Sequence, residues 1–381
     1  MGDPMNRRTF VRHSISACVL SLSGRHAIGH VLSTQPKSIL VLGGTFYLGP
    51  QIVSAALAEG HNVTLFNRGI TNPQLFPAVP KLRGMRSRDT KQQNLAALAN
   101  GRWDAVVDVW PSEPSLASTA AKLLHTRTDH YLYVSSIAAY DLANYARAGT
   151  TEDATLRAYA GDETQYGPGK AESERRLQEI VGKRLTIVRP GPIEGAGNDC
   201  TGGGLLLTWL TRAQSGSRHI GPGDGSDPVQ FVDVKDVGQF LVKAIDEQIF
   251  GTFNLVETFR TFRQHVDSCK AATHSNAEFI WIPRDFLEAN GLPPSGANGK
   301  PDYFRGWRPD PARKGLFEMS NAKALSVGWR ARPFRGTALD TLAPCHIRAN
   351  GTFDFQDTLP AEKEAAVIDA WLRHSSQAAS S

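Results

Sequence analysis

The sequence predicts an α/β protein built on a doubly wound parallel sheet. Two observations carry this prediction: short apolar, β-prone runs alternate with helical stretches, and the first of these runs enters a glycine-rich turn. Alternation of strands and helices implies crossover connections, which make neighbouring strands parallel. The chain has 381 residues, of which 41% are hydrophobic and 21% charged, a globular composition sufficient for one large domain or two ordinary ones.

The first elements are a strand, a glycine-rich turn, a helix and a second strand. SILVL (38–42) and HNVTLF (61–66) are the strands, and GGTFYLG (43–49) is the turn. This order within about 30 residues is typical of the dinucleotide-binding βαβ unit of Rossmann folds. Gly43 permits the tight turn, Gly49 lets the helix pack on the sheet, and the helix N-terminus offers N–H groups to a pyrophosphate. We therefore expect the whole turn to bind a cofactor, through Gly43, Gly44, Thr45, Phe46, Tyr47, Leu48 and Gly49.

Two departures from the usual pattern bear on the choice of cofactor. Phe46 stands where a glycine usually allows close approach of the backbone. At the end of the second strand, where NAD enzymes place an acid for the ribose 2′-hydroxyl, the chain reads Asn67-Arg68-Gly69. Because a guanidinium suits a 2′-phosphate, we expect Asn67 and Arg68 to contact the adenosine ribose, and NADP is slightly favoured over NAD.

The alternation of strands and helices continues through the first half. Strands are predicted at 103–110, 130–136 and 184–190, and helices at 115–125 and 171–181. The apolar residues of the last helix recur with a helical period, which favours packing of one face on the sheet. These elements extend the parallel sheet beyond the first βαβ unit.

A strand end and a helix start carry the side chains for acid–base chemistry. Ser136 ends a predicted strand, and Tyr166 and Lys170 are four residues apart at a helix start, so they share one helical face. A phenol with a pKa of about 10 is a poor acid or base at neutral pH. A neighbouring ammonium favours the phenolate, so we expect Lys170 to lower the pKa of Tyr166. Lys170 is also expected to hold the nicotinamide ribose, and the Ser136 hydroxyl to polarise the substrate oxygen.

The order of these motifs resembles the short-chain dehydrogenase/reductase superfamily, and most of all its extended branch, the NAD-dependent epimerase/dehydratase family. The resemblance covers roughly residues 38–256 and includes YVSSIAAY, YGPGK, VRPGPIEG (188–195) and QFVDVKDV (230–237). It implies that Ser136, Tyr166 and Lys170 are catalytic. It also implies that the nicotinamide side of the cleft is lined by Pro190, Gly191 and Pro192.

The resemblance further implies a division into two domains. The dinucleotide-binding domain comprises residues 36–190 with 232–250, and a smaller C-terminal lobe of residues 191–231 with 251–381 determines the substrate. In the lobe, residues 283–315 combine exposed-looking aromatics with arginines, a mixture that suits sugar rings, carboxylates or phosphates. Packing of these aromatics within the lobe is the alternative.

The sequence also resembles an atypical branch of the same superfamily, which includes chloroplast stem-loop-binding proteins. The shared features are GGTxxLG and FNRG. Met85 is a departure from the epimerase/dehydratase family, in which many relatives carry an acid near the adenine at this position. Some members of that branch bind RNA and have lost the catalytic triad. Here Ser136, Tyr166 and Lys170 are all present, which favours an enzyme.

The leading functional hypothesis is an NAD(P)-dependent enzyme that acts on a secondary alcohol or ketone, with Tyr166 as acid/base and hydride exchange with a tightly bound nicotinamide. The substrate is a small molecule of sugar or sugar-like type, and the resemblance implies a homodimer through the helix that bears Tyr166. A cytoplasmic NADPH-dependent carbonyl reductase and a non-catalytic nucleotide- or RNA-binding protein are the alternatives. No metal site is expected, because the histidines and acids lack ligand spacing and the cysteines are scattered, at Cys18, Cys200, Cys269 and Cys345.

The first 35 residues carry much of the net charge of +5. They contain NRRTFVR (6–12) and then a short apolar stretch, Ile15 to Leu22, whereas a membrane span needs roughly 20 residues. This pattern resembles twin-arginine leaders and predicts an exported, periplasmic or secreted protein without stable membrane insertion. A disordered basic tail on a cytoplasmic protein is the alternative. The remaining chain is nearly neutral, so nucleic acid is not an expected partner.

Overall fold

The computed structural model describes residues 35–109, 113–197, 204–294, 302–348 and 359–378, with only the helical backbone for 344–348. The predicted leader therefore lies outside the described residues, except for Gln35. Cys18 and Cys200 also lie outside them.

The strands are β1 (Ser38–Leu42), β2 (Asn62–Asn67), β3 (Lys81–Arg83), β4 (Trp103–Asp108), β5 (Thr128–Val134), β6 (Leu185–Pro190), β7 (Ile193–Glu194), β8 (Arg218–Pro222), β9 (Pro228–Val229), β10 (Val232–Asp233), β11 (Gly251–Leu255), β12 (Arg260–Thr261) and β13 (Glu278–Ile282). The α-helices are α1 (Leu48–Ala58), α2 (Pro114–Leu124), α3 (Tyr166–Val181), α4 (Leu205–Gln214), α5 (Val234–Glu247), α6 (Phe262–Thr273), α7 (Arg284–Ala289), α8 (Ala322–Ser326), α9 (Phe334–Arg348) and α10 (Ala361–Ala378).

Seven strands form one parallel sheet in the order β3-β2-β1-β4-β5-β6-β11. The chain builds outward from β1 in one direction and from β4 in the other, so the strand order reverses between these two strands. A crevice for ligands forms at the carboxyl ends of the strands at such a switch point. The predicted doubly wound α/β fold is therefore confirmed.

Alternate residues of β1 pack on opposite faces of the sheet. Ile39 and Val41 join the core formed with α1 and α5, while Leu40 and Leu42 join the core formed with α2 and α3. A strand covered on both faces has no solvated side, which explains why SILVL is apolar almost throughout. The same arrangement places the turn after β1 at the switch point.

The boundary predicted between the two domains differs from the structure at one strand. Residues 251–255 were assigned to the lobe, but β11 pairs in parallel with β6 and forms an edge of the central sheet. GTFNL is short and carries an asparagine, so it lacks the continuous apolar run of the other strands. Asn254 is nevertheless fully buried and accepts a hydrogen bond from the Tyr140 hydroxyl at 2.7 Å. The three-residue strand β3 was also missed.

The C-terminal lobe has an aromatic core of its own. Phe304 and Trp307, which looked exposed in the sequence, are both fully buried there, together with Trp209 and Phe262. The Trp307 indole donates a hydrogen bond to Asp227 at 2.7 Å, which satisfies its polar atom. These two aromatics therefore hold the lobe together, which bears out the alternative that they pack within it.

Candidate active site

A cavity of about 470 Å³ lies at the carboxyl ends of β1 and β2. All seven predicted residues of the turn line it, as do Asn67 and Arg68. Its remaining walls come from the ends of the same strands, the segment after β3 and Val109. The cavity therefore lies at the switch point of the sheet and has the position that a dinucleotide requires.

The glycines of the turn cannot carry side chains. A Cβ on Gly43 would lie 2.6 Å from Val109 Cγ2, and one on Gly44 would lie 2.6 Å from Leu65 Cδ2. Gly49 is more restricted still, because its Cβ would lie 2.6 Å from the Cα of Gly44. The start of α1 thus packs directly on the backbone of the turn. This cradle fits the pyrophosphate of a dinucleotide at the N-terminus of a helix.

Phe46, which replaces the usual middle glycine, stands at the rim of the cavity with its side chain 70% exposed. The next residue, Tyr47, has a φ of 46°, a left-handed conformation that is uncommon outside glycine. Its hydroxyl donates a hydrogen bond to the Ile193 carbonyl at 2.5 Å, which ties the turn to β7. Burial raises the pKa of Tyr47, with Glu194 and Asp233 adding to the effect, so this hydroxyl stays a donor.

We expect Gly49→Ala to raise the dissociation constant for NADPH roughly tenfold or more, because the new methyl group collides with the backbone of Gly44. Fluorescence titration of the purified variant with NADPH measures it. Gly60→Ala is the control, since its φ is +80° but its Cβ meets nothing within 4 Å. Equal affinity in a folded Gly49→Ala protein would contradict the role given to the turn.

A second cavity, of about 540 Å³, contains the remaining predicted site residues: Ser136, Tyr166, Lys170, Pro190, Gly191 and Pro192. They come from the end of β5, the start of α3 and the end of β6. Tyr47, Leu48 and Val109 line both cavities, so the second cavity borders the first. Parallel strands end at one edge of a sheet, which is why residues far apart in the chain meet here.

The two serines at the end of β5 have different surroundings. Ser136 accepts a hydrogen bond from the Ala138 amide at 3.1 Å, and its side chain is hydrogen-bonded to Tyr166. Ser135 is 2% exposed and donates to the carboxylate of Glu174. Ser136 is therefore the serine that contacts the tyrosine, as the family resemblance implies.

The electrostatics of Tyr166 differ from the sequence expectation. Partial burial raises the pKa of Tyr166, and the hydrogen bond with Ser136 acts in the opposite direction. Lys170 lies with its Nζ 5.9 Å from the tyrosine ring centroid and donates to the Val134 carbonyl at 2.6 Å. Burial lowers the pKa of Lys170 to about 7, so its charge is only partial at neutral pH. The predicted lowering of the Tyr166 pKa was wrong, and Tyr166 is a protonated donor.

The buried lysine predicts a pH dependence of stability. Its pKa is about 7 in the folded protein against an ordinary 10.5, so between these values the unfolded chain binds more protons. The free energy of unfolding therefore rises with pH in this window, and the burial cost is largest below it. Lys170→Met removes the titration, so the wild type should gain stability relative to this variant between about pH 7 and 9. Thermal melts with exposed Lys122→Met as control measure it, and parallel curves would contradict the assignment.

A buried ion pair beside the cofactor cavity was not predicted from the sequence. Arg86 Nη1 lies 2.7 Å from Asp108 Oδ1, and the Tyr131 hydroxyl donates to the other carboxylate oxygen at 2.9 Å. Arg86 lines the cofactor cavity, and the charge of Asp108 partly offsets the lowering of the Lys170 pKa. These residues belong to no spacing motif, so only the folded arrangement identifies them.

A second buried ion pair supports the catalytic helix. Arg189 on β6 contacts both carboxylate oxygens of Glu174 on α3, with its shortest distance, Nη2 to Oε2, at 2.6 Å. The side chains are 5% and 4% exposed. Glu174 is four residues after Lys170 and on the same face of α3, so this pair fixes the rotation of the helix.

The described residues contain neither a metal-binding cluster nor a membrane-spanning helix. No group of histidine, cysteine, aspartate and glutamate in this part of the chain is placed to hold a metal ion. Asp233 caps α5 by accepting a hydrogen bond from the Lys235 amide at 2.6 Å, and Cys269 is buried with a raised pKa. Every helix of the described ranges is too short or too polar to span a lipid bilayer.

The fold and the two adjoining cavities are those of a nucleotide-binding enzyme. A comparison of the sequence with family models identifies the family. The model of the NAD dependent epimerase/dehydratase family matches residues 39–255, more than half of the 381-residue chain. The protein belongs to this family.

Two individual proteins match the chain at about one quarter sequence identity. The chain is 26% identical over 279 residues to chloroplast stem-loop binding protein of 41 kDa b from Arabidopsis thaliana, which covers 68% of this chain and 69% of that protein. It is 25% identical over 221 residues to a bifunctional pinoresinol-lariciresinol reductase from Linum corymbulosum, which covers 56% of this chain and 66% of the reductase.

Solved structures share the fold at low sequence identity. UDP-glucose 4-epimerase from Thermotoga maritima, determined with UDP-glucose, has a TM-score of 0.55 and 17% identity, and the match covers 81% of this chain and 99% of that one. Several structures of the same fold contain NAD. At such identities these structures establish the fold of the chain.

Proposed function

We propose that the protein is an NAD(P)-dependent enzyme that oxidises or reduces a secondary alcohol or ketone of a sugar or sugar-like substrate. The observation that carries this proposal is the meeting of Ser136, Tyr166 and Lys170 in one cavity that borders the dinucleotide cavity. Acid–base groups beside a hydride-exchanging ring are what such a reaction needs.

The residues have distinct roles in the proposed reaction. Tyr166, protonated at neutral pH, donates its proton to the substrate oxygen during reduction and takes it back during oxidation. The Ser136 hydroxyl, hydrogen-bonded to Tyr166, orients and polarises the same oxygen. Lys170 would hold the nicotinamide ribose, and Pro190, Gly191 and Pro192 would exclude water beside the ring. The nicotinamide, when bound, supplies or accepts the hydride.

The turn of residues 43–49 would hold the pyrophosphate, and the end of β2 would hold the adenosine ribose. Arg68 lines that end of the cavity, where a guanidinium favours NADP over NAD. The adjoining second cavity would hold the substrate beside the nicotinamide ring.

The leader predicted for the first 35 residues favours one type of reaction over another. Twin-arginine export carries folded proteins, so an exported enzyme would leave the cytoplasm with its cofactor bound and would find no obvious supply outside. Chemistry that regenerates its own cofactor, such as epimerisation or dehydration of a sugar, fits this better than net reduction. The arginine pair Arg7-Arg8 supports the proposal, as does the fold shared with a UDP-glucose 4-epimerase. We propose a periplasmic or secreted location on the same basis.

Mass spectrometry of nucleotide released from the purified protein by denaturation tests this proposal. We expect about one equivalent of NADP or NAD per chain, and conversion of nucleotide sugars, with UDP-glucose as the first probe, without added cofactor. If the purified protein contains no nucleotide and turns over substrate only with added NADPH, the result would favour the cytoplasmic carbonyl reductase instead. The similarity to the reductase from Linum corymbulosum supports this alternative.

An RNA-binding function is the second candidate, favoured by the similarity to the chloroplast stem-loop binding protein. The intact set of Ser136, Tyr166 and Lys170 favours the enzyme. Binding of a stem-loop RNA at physiological salt, without any nicotinamide absorbance change on addition of substrate, would reverse this preference.

The homodimer through α3 stays a prediction. The outward side of this helix carries Glu172, Arg175, Arg176 and Glu179, which form ion pairs with one another within the helix. A dimer at this face would therefore have a polar interface, and sedimentation at two salt concentrations checks it.

A further inference from the structure

Asn67, at the end of β2, has no acceptor left for a ribose hydroxyl. Its side-chain oxygen accepts two hydrogen bonds, from the Gly69 amide at 2.9 Å and from Arg83 Nη1 at 2.6 Å. An amide oxygen has two lone pairs, so both are used. Its amide nitrogen donates to the Gly43 carbonyl at 3.4 Å, which fixes the side chain against the turn. The group that stands in place of the usual acid therefore serves to hold an arginine.

Gly69 gives that arginine its place. The residue has a φ of +76°, and a Cβ on it would lie 2.4 Å from Arg83 Nη1 and 2.6 Å from Arg83 Cζ. The guanidinium thus lies against the backbone of Gly69, which itself lines the cofactor cavity. Any side chain at this position would displace it.

The charge at this end of the cavity is not balanced. In the part of the chain that the structure describes, neither Arg68 nor Arg83 forms an ion pair with a carboxylate, and Arg83 has Asn67 as its one hydrogen-bond partner. Arg86, in contrast, is neutralised by Asp108 at 2.7 Å. Most of the five guanidinium N–H groups of Arg83 remain available to a ligand. A phosphate offers only acceptors and negative charge, the complement of such a fork.

We propose that Arg83, held by Asn67 and Gly69, forms with Arg68 the site for the 2′-phosphate of NADP and determines the cofactor specificity. This inference rests on the proposed function, which places the adenosine half of a dinucleotide in this cavity. Arg83 is new to the site, because it lies on β3, a strand that no sequence pattern revealed.

Titration of nucleotide-free wild-type protein and Arg83→Gln with NADP+ and NAD+ tests the proposal. Loss of charge-assisted hydrogen bonds should raise the dissociation constant for NADP+ roughly tenfold to a hundredfold, while that for NAD+ changes by less than about twofold. Arg102→Gln is the matched control. Arg102 directly precedes β4, is exposed and forms an ion pair with Asp129, so its substitution should leave both dissociation constants unchanged.

Two further probes separate the phosphate from the rest of the ligand. Adenosine 2′,5′-diphosphate should bind wild type more tightly than adenosine 5′-monophosphate, and Arg83→Gln should remove the difference, whereas inorganic phosphate alone should not compete at millimolar concentration. An unchanged ratio of NADP+ to NAD+ affinity in a folded Arg83→Gln protein overturns the inference and leaves the proposed function intact. A wild type that binds neither nucleotide overturns both.

Discussion

Tyr166→Phe should lower turnover by roughly a hundredfold to ten-thousandfold, the contribution typical of general acid–base catalysis. Removing the hydroxyl leaves the ring and the cavity in place, so the affinity for NADPH should change by less than about twofold. The physical reason is that Tyr166 is the protonated group hydrogen-bonded to Ser136 and exposed to the cavity. The phenyl ring can neither give the substrate oxygen a proton nor take one back.

The measurement is the change at the nicotinamide absorbance band, or product formation by chromatography, with a panel of nucleotide sugars that begins with UDP-glucose. Tyr159→Phe is the matched control, because Tyr159 precedes the same helix and does not line either cavity. Turnover retained in Tyr166→Phe would remove the tyrosine from the catalytic role, whatever the substrate is.

Local sequence signals predicted the parts of the fold that are local in the chain. The βαβ unit from β1 to β2 is continuous in the chain, and contacts within it require Gly44 and Gly49. Strand β1 is apolar because both of its faces are covered. The pair Tyr166 and Lys170 was predictable for the same reason, since helical spacing puts both on one face. The meeting of β5, α3 and β6 followed from the parallel sheet.

The features that the sequence did not predict depend on burial and on partners far along the chain. Spacing placed Lys170 beside Tyr166, but only the fold shows that its Nζ donates to Val134 and that burial lowers its pKa. Strand β11, which was assigned to the lobe, is a short run that Asn254 interrupts, and the polar partners of Asn254 come from about 100 residues away. Arg83 was missed because a three-residue strand has no detectable period.

The buried pair of Glu174 and Arg189 carries the second large prediction. Arg189 also donates to the Glu152 carbonyl at 2.9 Å and lies 4.7 Å from the ring centroid of Tyr140. Because Ser135 donates to Glu174, the pair joins β5, α3 and β6 directly behind the catalytic cavity. Its removal should therefore affect both stability and the placement of Ser136 and Tyr166.

Glu174→Gln should lower the free energy of unfolding by about 3–5 kcal/mol, because it leaves the Arg189 charge buried without its partner. Glu172→Gln, two residues earlier on the same helix, should cost much less, since its partner Arg175 is 57% exposed. Urea unfolding followed by circular dichroism measures both.

The double variant Glu174→Leu with Arg189→Met makes the test decisive. If the loss comes from an uncompensated buried charge, the apolar pair should unfold at higher urea concentration than Glu174→Gln, even though it lacks every hydrogen bond of the original pair. Its turnover should nevertheless stay below wild type, because Ser135 loses its acceptor and the rotation of α3 is no longer fixed. A double variant less stable than Glu174→Gln would show that the hydrogen bonds to Ser135 and Glu152, and not the charge balance, hold these three elements together.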